Sequence, residues 1–120
     1  MPQKSRLRRS ISKWANSTDQ QDRDLRKEHA ESGGTTIADA PDRDMVLLQG
    51  SLRTVTLRPR GGVPALEAEL YDGSEPLTLV WLGRRRITGI GPGRSLRVRG
   101  RIGVQDGHRI MFNPRYELLP

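Results

Sequence analysis

The chain contains no cysteine and only two histidines. No disulfide framework, thiolate zinc site or cysteine nucleophile can be built from it. His29 and His108 fall in different segments, and no His-x-x-x-His or His-x-Glu spacing exists, so the sequence offers no metal-ligand pattern. A Gly-x-Ser-x-Gly elbow and a Walker-type phosphate loop are both missing. Gly89-Ile90-Gly91-Pro92-Gly93 is glycine-rich but follows no strand and opens no helix, so it reads as a turn. Asp72 and Glu75 are close in sequence but read as polar residues of a hairpin. The expectation is a protein that is not an enzyme and takes no metal and no cofactor. Aromatic side chains are scarce: Trp14, Tyr71, Trp81, Phe112 and Tyr116 are all there are, which limits the stacking platforms available to a nucleobase. No apolar run approaches the roughly 20 residues of a membrane helix, so no membrane partner is expected. The basic start of the chain is not followed by an apolar segment, which argues against a secretory signal. Absence of cysteine is compatible with a reducing compartment, and a cytoplasmic location is expected.

What the chain has is positive charge. Its 120 residues carry a formal net charge of +7, with a sequence pI near 11.0. Such a surplus favours polyanionic partners, nucleic acid above all. The length suits one domain plus an extension, and composition changes near residue 33. Residues 1–34 form a basic N-terminal extension with very few large apolar groups, Leu7, Ile11, Trp14 and Leu25 among them, too few to offset the entropy of ordering it. It is expected to be disordered or partly helical, with helix tolerated from Ser10 to Glu31 and ended by Gly33-Gly34. Lys4, Arg6, Arg8, Arg9 and Lys13 make it a basic arm of the kind that adds sequence-independent affinity for nucleic acid. Leu7, Ile11 and Trp14 could instead dock a protein.

Residues 35–120 read as an all-β domain. Val46, Leu48, Gly50 and Leu52 alternate with Leu47, Gln49 and Ser51, and the phase then shifts so that Val55 and Leu57 alternate with Thr54 and Thr56. A long first strand that bends at Gly50 and changes phase can serve two sheets of a small barrel. Arg58 to Gly62 is a loop. Strand two runs from Ala65 to Tyr71 with Leu66, Ala68 and Leu70 inward and Glu67, Glu69 and Tyr71 outward, and Asp72-Gly73 signals a hairpin. Strand three is Leu77 to Leu82, with Trp81 sharing the inward phase. In the polar stretch from Gly83 to Gly93, the three-residue spacing of Ile87 and Ile90 predicts a short helical turn plugging the barrel end. Strand four is Ser95 to Val104, with Leu96, Val98, Gly100, Ile102 and Val104 on one face and Arg97, Arg99 and Arg101 on the other. Strand five, Arg109 to Leu118, is interrupted by Pro114, and Phe112 is expected in the core with Ile110. This layout is that of a five-stranded OB-fold Greek-key barrel.

The stretch from about Thr36 to Leu119 resembles a known family. The likeness rests on Asp39 to Asp44 leading into Val46-x-Leu48-x-Gly50-x-Leu52, and on Thr54-Val55-Thr56-Leu57-Arg58-Pro59-Arg60. It continues through the run from Gly62 to Gly73, Trp81-Leu82-Gly83-Arg84-Arg85, and Phe112-Asn113-Pro114-Arg115-Tyr116-Glu117-Leu118. These residues look like those of the small, stand-alone OB-fold nucleic-acid-binding proteins of actinobacteria. The resemblance implies an OB barrel and a nucleic-acid role.

In OB barrels the loop between strands one and two and the loop between strands four and five flank the ligand groove. Arg58, Arg60, His108 and Arg109 are therefore the favoured phosphate contacts, and Tyr71 is the best-placed stacking residue. Arg97, Arg99 and Arg101 stand about 7 Å apart by strand rise. They either follow the phosphates of an extended strand or form a solvated face that protects the sheet edge. Arg84, Arg85 and Arg86 are secondary contacts or solvated groups on the connector. Glu67 and Glu69 point into the expected groove, where carboxylates repel phosphates. Either they pair with neighbouring arginines, or the groove docks a protein and the domain is an adaptor. Two partners thus stand open, single-stranded DNA or RNA and a protein. The oligomeric state and the choice between DNA and RNA have no signature in the sequence.

Overall fold

One strand organises the molecule. β1 (Met45–Leu57) is long enough to pair with two neighbours in succession. The computed structural model describes residues 35–120; the expected helix between Ser10 and Glu31 and the basic arm lie outside the described residues. The first half of β1, Met45 to Ser51, pairs antiparallel with β4 (Ser95–Gln105). Its second half, Ser51 to Leu57, pairs antiparallel with β2 (Ala65–Tyr71). Between these halves the register shifts at Arg53, which lies between the paired positions Leu52–Leu70 and Thr54–Glu69. An extra residue of this kind bends and twists a strand. The phase change read from the sequence is therefore real, and the irregularity sits at Arg53.

Gly50 has a different job. A Cβ there would lie 2.6 Å from the carbonyl oxygen of Tyr71 and 3.1 Å from Cγ of Leu70. The absence of a side chain lets the curved strand cross close over the end of β2.

The rest of the ring follows. β2 pairs with β3 (Pro76–Leu82), and β3 pairs in parallel with β5 (His108–Phe112) through Thr78–Ile110, Leu79–Met111 and Val80–Phe112. β5 pairs with the far end of β4, which returns to β1. A short β6 (Arg115–Leu118) pairs with the near end of β4. The single fifth strand expected from the sequence is thus two strands. Asn113 takes a left-handed φ of 51° and the ring of Pro114 removes a donor, so the ladder breaks there.

Alternate residues of each strand fill the barrel. Leu48, Leu52, Leu70, Leu77, Leu79, Leu96 and Ile102 are at most 2% exposed, each contributing roughly 1.5–3 kcal/mol of transfer free energy. Trp81 is buried as expected, its Nε1–H donating to the carbonyl of Pro114 at 3.0 Å, and the ring of Tyr116 packs edge-on against it. Ile87 and Ile90 enter the buried core from the connector. They do so without the expected helical turn: no helix occurs among the described residues. Gly89 has a φ of 87° and Pro92 follows, so a helical hydrogen-bond ladder cannot run through this connector. Val104, placed with the inward residues by alternation, is exposed beyond the end of the barrel. No helix of the described residues is long and apolar enough to cross a membrane.

The segment before β1 is held by two charged groups. Asp72, buried in the β2–β3 hairpin, accepts hydrogen bonds from the backbone N–H of Ile37 at 2.8 Å and from the N–H and hydroxyl of Ser74 at 2.9 and 2.6 Å. Arg109 donates to the carbonyls of Ala38 and Ala40 and to Glu75 Oε2 at 2.9 Å. Ile37 and Ala40 are thereby seated in the core.

Gly50→Ala should lose on the order of 1–3 kcal/mol, as overpacking against backbone does, read as a lower urea midpoint at constant m. Asp72→Ala orphans the N–H groups of Ile37 and Ser74 and should cost about 3 kcal/mol; a loss below about 0.5 kcal/mol would show that Asp72 does not anchor the segment.

Candidate nucleic-acid interface

The outward positions of β2 and β3 alternate with the core positions and form one face of the barrel. Register places Glu67 opposite Val80 and Glu69 opposite Thr78, with Thr54 and Thr56 of β1 on the other side. The floor is apolar: Ala65, Val80 and Ile110 share this outward phase and bury one another as a second small cluster.

Both carboxylates on this face are paired. Glu67 lies 3.8 Å from Arg58 and 3.3 Å from Arg60, and Glu69 lies 3.8 Å from Arg53. Three guanidinium groups therefore face two carboxylates, and the face is not acidic. The pairing comes from the β1–β2 loop and the Arg53 bulge, and not from the strand-four arginines. Arg58 remains 67% exposed in its side chain and stands 3.8 Å from Glu67, which is 19% exposed; a contact this long from an exposed arginine is weak. It can open toward a phosphate at small cost. Arg60 is more enclosed. Its Nε is buried without an acceptor among the described residues, and its guanidinium stands 5.4 Å from the centroid of the Phe112 ring.

Tyr71 lies on this face, with the guanidinium of Arg53 stacked 3.5 Å from its ring centroid. The stacking surface at this point is thus a layered Tyr–Arg pair, and a guanidinium plane accepts a base as an aromatic ring does. Sequence reasoning misses Arg53, because its position in an alternating strand carries no direction until the bulge is placed. The phase shift between Leu52 and Thr54 is the signal that points to it.

The other named residues separate. His108 is exposed at the start of β5, on the turn that flanks the face. The guanidinium of Arg109 is engaged by Glu75 and the two carbonyls described above. Arg84, Arg85 and Arg86 are exposed on the connector. Arg97, Arg99 and Arg101 project from β4 beside the first half of β1, on the other side of the bulge from the β2 pairing. Arg97 is committed to Glu117 Oε1 at 2.8 Å and Gln49 Oε1 at 3.3 Å, while Arg101 donates to the carbonyl of Arg43. Arg6, Arg8, Arg9 and Lys13 lie outside the described residues. Phe112, expected in the core, is 44% exposed. Parallel pairing with β3 sends Met111 inward beside Leu79, so Phe112 must face outward.

A cleft of about 450 Å³ opens where β4 meets the β5–β6 junction, lined by Met45, Arg99, Gly100, Arg101, Phe112, Asn113 and Arg115. Nothing in the residue pattern signals it, because it requires the β4–β6 register.

No protein-family model matches the chain, and no curated protein matches it. The likeness is to solved structures. The OB domain of Ta0387 from Thermoplasma acidophilum superposes with a TM-score of 0.56 at 13% identity, over 71% of this chain and 85% of that one. The p204 HINb domain gives 0.59 at 12% identity over 76% of this chain, which spans 49% of that structure. A replication factor A related protein from Methanobacterium thermoautotrophicum gives 0.54 at 12% identity, over 72% and 90%. At these identities the likeness speaks to architecture alone, and the described domain has the OB fold.

Proposed function

We propose that this protein is a non-catalytic OB-fold protein, similar to the small actinobacterial family, that binds single-stranded DNA or RNA largely without regard to sequence. The observation that carries the reading is the pairing of Glu67 and Glu69 with Arg58, Arg60 and Arg53. It removes the electrostatic objection to a phosphate backbone on the β2–β3 face. It also leaves cations there that can exchange a carboxylate for a phosphate. OB barrels take oligonucleotides on this face between these loops. The net charge of +7 supplies long-range attraction, and the basic arm from Lys4 to Lys13 adds non-specific affinity. The name of one structural neighbour, a replication factor A related protein, points the same way.

A second reading, an adaptor whose groove docks a protein, is favoured by one feature. Leu57, Val63 and Leu82 are all exposed where β1 ends, β2 begins and β3 ends. An apolar rim at the mouth of the groove suits a protein partner.

Fluorescence-anisotropy titration of a labelled single-stranded oligonucleotide over a salt series separates the two. Binding should weaken with salt, with a slope of about −0.7 per phosphate contacted. Arg58→Glu combined with Arg60→Glu should lower affinity by roughly tenfold or more. Unchanged affinity in that double variant would remove the β2–β3 face from the reading.

Glu67→Gln gives the opposite sign. It releases Arg58 and Arg60 from their shared carboxylate and should tighten binding several-fold with a steeper salt slope. An unchanged slope would mean that neither arginine meets a phosphate.

A further inference from the structure

Register opposes like charges at one point on the outer surface. Arg99 of β4 stands directly across from Arg115 of β6, two residues along the same face from the satisfied Arg97–Glu117 pair. Directly opposed like charges on neighbouring strands repel. Among the described residues, no carboxylate lines the cleft in which they meet. Elsewhere on the strands the outward arginines are neutralised in place: Arg53 by Glu69, Arg97 by Glu117, Arg109 by Glu75. Arg101 stands two residues along from Arg99 in the same cleft.

The walls complete the site. Phe112 and Met45, 44% and 57% exposed, line the same cleft as the arginines. Asn113 fixes the junction, its side-chain oxygen accepting from the N–H of Leu82 at 2.9 Å and its own N–H donating to the carbonyl of Val80. The volume of about 450 Å³ lies within the range of small-molecule sites. Phe112 also stands beneath Arg60, so its ring joins the cleft to the β1–β2 loop.

We infer that this cleft binds one nucleotide unit of a single-stranded nucleic acid, with a phosphate between Arg99 and Arg115 and the base against Phe112 and Met45. The inference rests on the proposed nucleic-acid binding and extends its path. A strand leaving the β2–β3 face passes Arg60, crosses Phe112 and enters the cleft, in place of ending between the two flanking loops.

The test uses the full chain and a labelled single-stranded oligonucleotide of about 12 nucleotides, within the span of an OB site. Arg99→Ala combined with Arg115→Ala should flatten the salt slope by about 0.7, the single-strand value for the one phosphate that they share. Phe112→Ala should weaken binding roughly tenfold, and Phe112→Tyr should restore it, as stacking requires. Arg115→Glu sets a carboxylate across from Arg99, so it should abolish the cleft contact while the melting temperature holds or rises; this separates lost binding from lost folding. Wild-type affinity and slope in the Arg99/Arg115 variant, with binding still lost in the Arg58/Arg60 variant, would overturn the cleft and leave the proposed function standing. Failure of the wild-type chain to bind any oligonucleotide would overturn both. Displacement of the oligonucleotide by poly-glutamate at equal charge concentration would reassign the cleft to acidic protein segments.

Discussion

The structure depends on a single strand serving two partners. β1 gives its first half to β4 and its second half to β2, and this closes the sheet into a ring. Two local devices make that curvature tolerable. Gly50 allows the backbone of β2 to come within what would be 2.6 Å of a Cβ, and the irregularity at Arg53 turns the strand where its partner changes. The same irregularity aims Arg53 at Tyr71 and Glu69. A feature that closes the barrel therefore also sets the charge and the stacking surface of the β2–β3 face. Fold and candidate site cannot be separated at this residue.

Charge on the outer surface follows register more than composition. Glu67 and Glu69 would make a phosphate-repelling groove alone, but loop geometry brings Arg58 and Arg60 to the first and the bulge brings Arg53 to the second. On β4 the pairing with β6 treats neighbouring arginines differently. Arg97 meets Glu117, whereas Arg99 meets Arg115. Within a net charge of +7 for the whole chain, the positive charge of the described residues is thus unevenly placed. Arg109 counts toward the total yet is committed to the carbonyls of Ala38 and Ala40, where it holds the lead-in segment to the barrel.

Much of the fold is legible in the sequence because alternation is a direct consequence of strand geometry. Leu66, Ala68 and Leu70, Leu77 with Leu79 and Trp81, and Leu96 with Val98 all bury as their phase demands. What alternation cannot reveal is the pairing between strands. Phe112 shares its phase with Ile110, and both face outward. Ile110 is nevertheless buried because Ala65 and Val80 cover it, while Phe112 lies one step beyond that cluster. The spacing of Ile87 and Ile90 predicts their burial correctly and a helical turn wrongly, since burying two apolar side chains needs no particular backbone. For the site, Arg58, Arg60 and Tyr71 are reachable from loop and phase. Arg53 and Arg115 are not, because each acquires its neighbours from a bulge or a register.

Scarce aromatics shape how such a barrel could hold bases. Trp81 is buried, and Tyr116 packs edge-on against it while remaining 40% exposed; two other rings of the described surface, Tyr71 and Phe112, each carry a guanidinium: Arg53 at 3.5 Å and Arg60 at 5.4 Å. A cation over a ring is attracted by its quadrupole, and it also places a positive charge beside each stacking surface. A nucleotide presents the matching pair of groups, a flat base and a phosphate about one strand step away. Two such ring–arginine units, one at the far end of the β1–β2 pairing and one at its loop, with the Arg99–Arg115 opposition next to the second, form a sequence of alternating flat and cationic surfaces. That order is independent of base identity, because every base has a π-face and every linkage a charge. The binding proposed for this barrel is accordingly one of spacing and charge, and its selectivity would lie in strandedness, since a duplex hides the faces that these rings need.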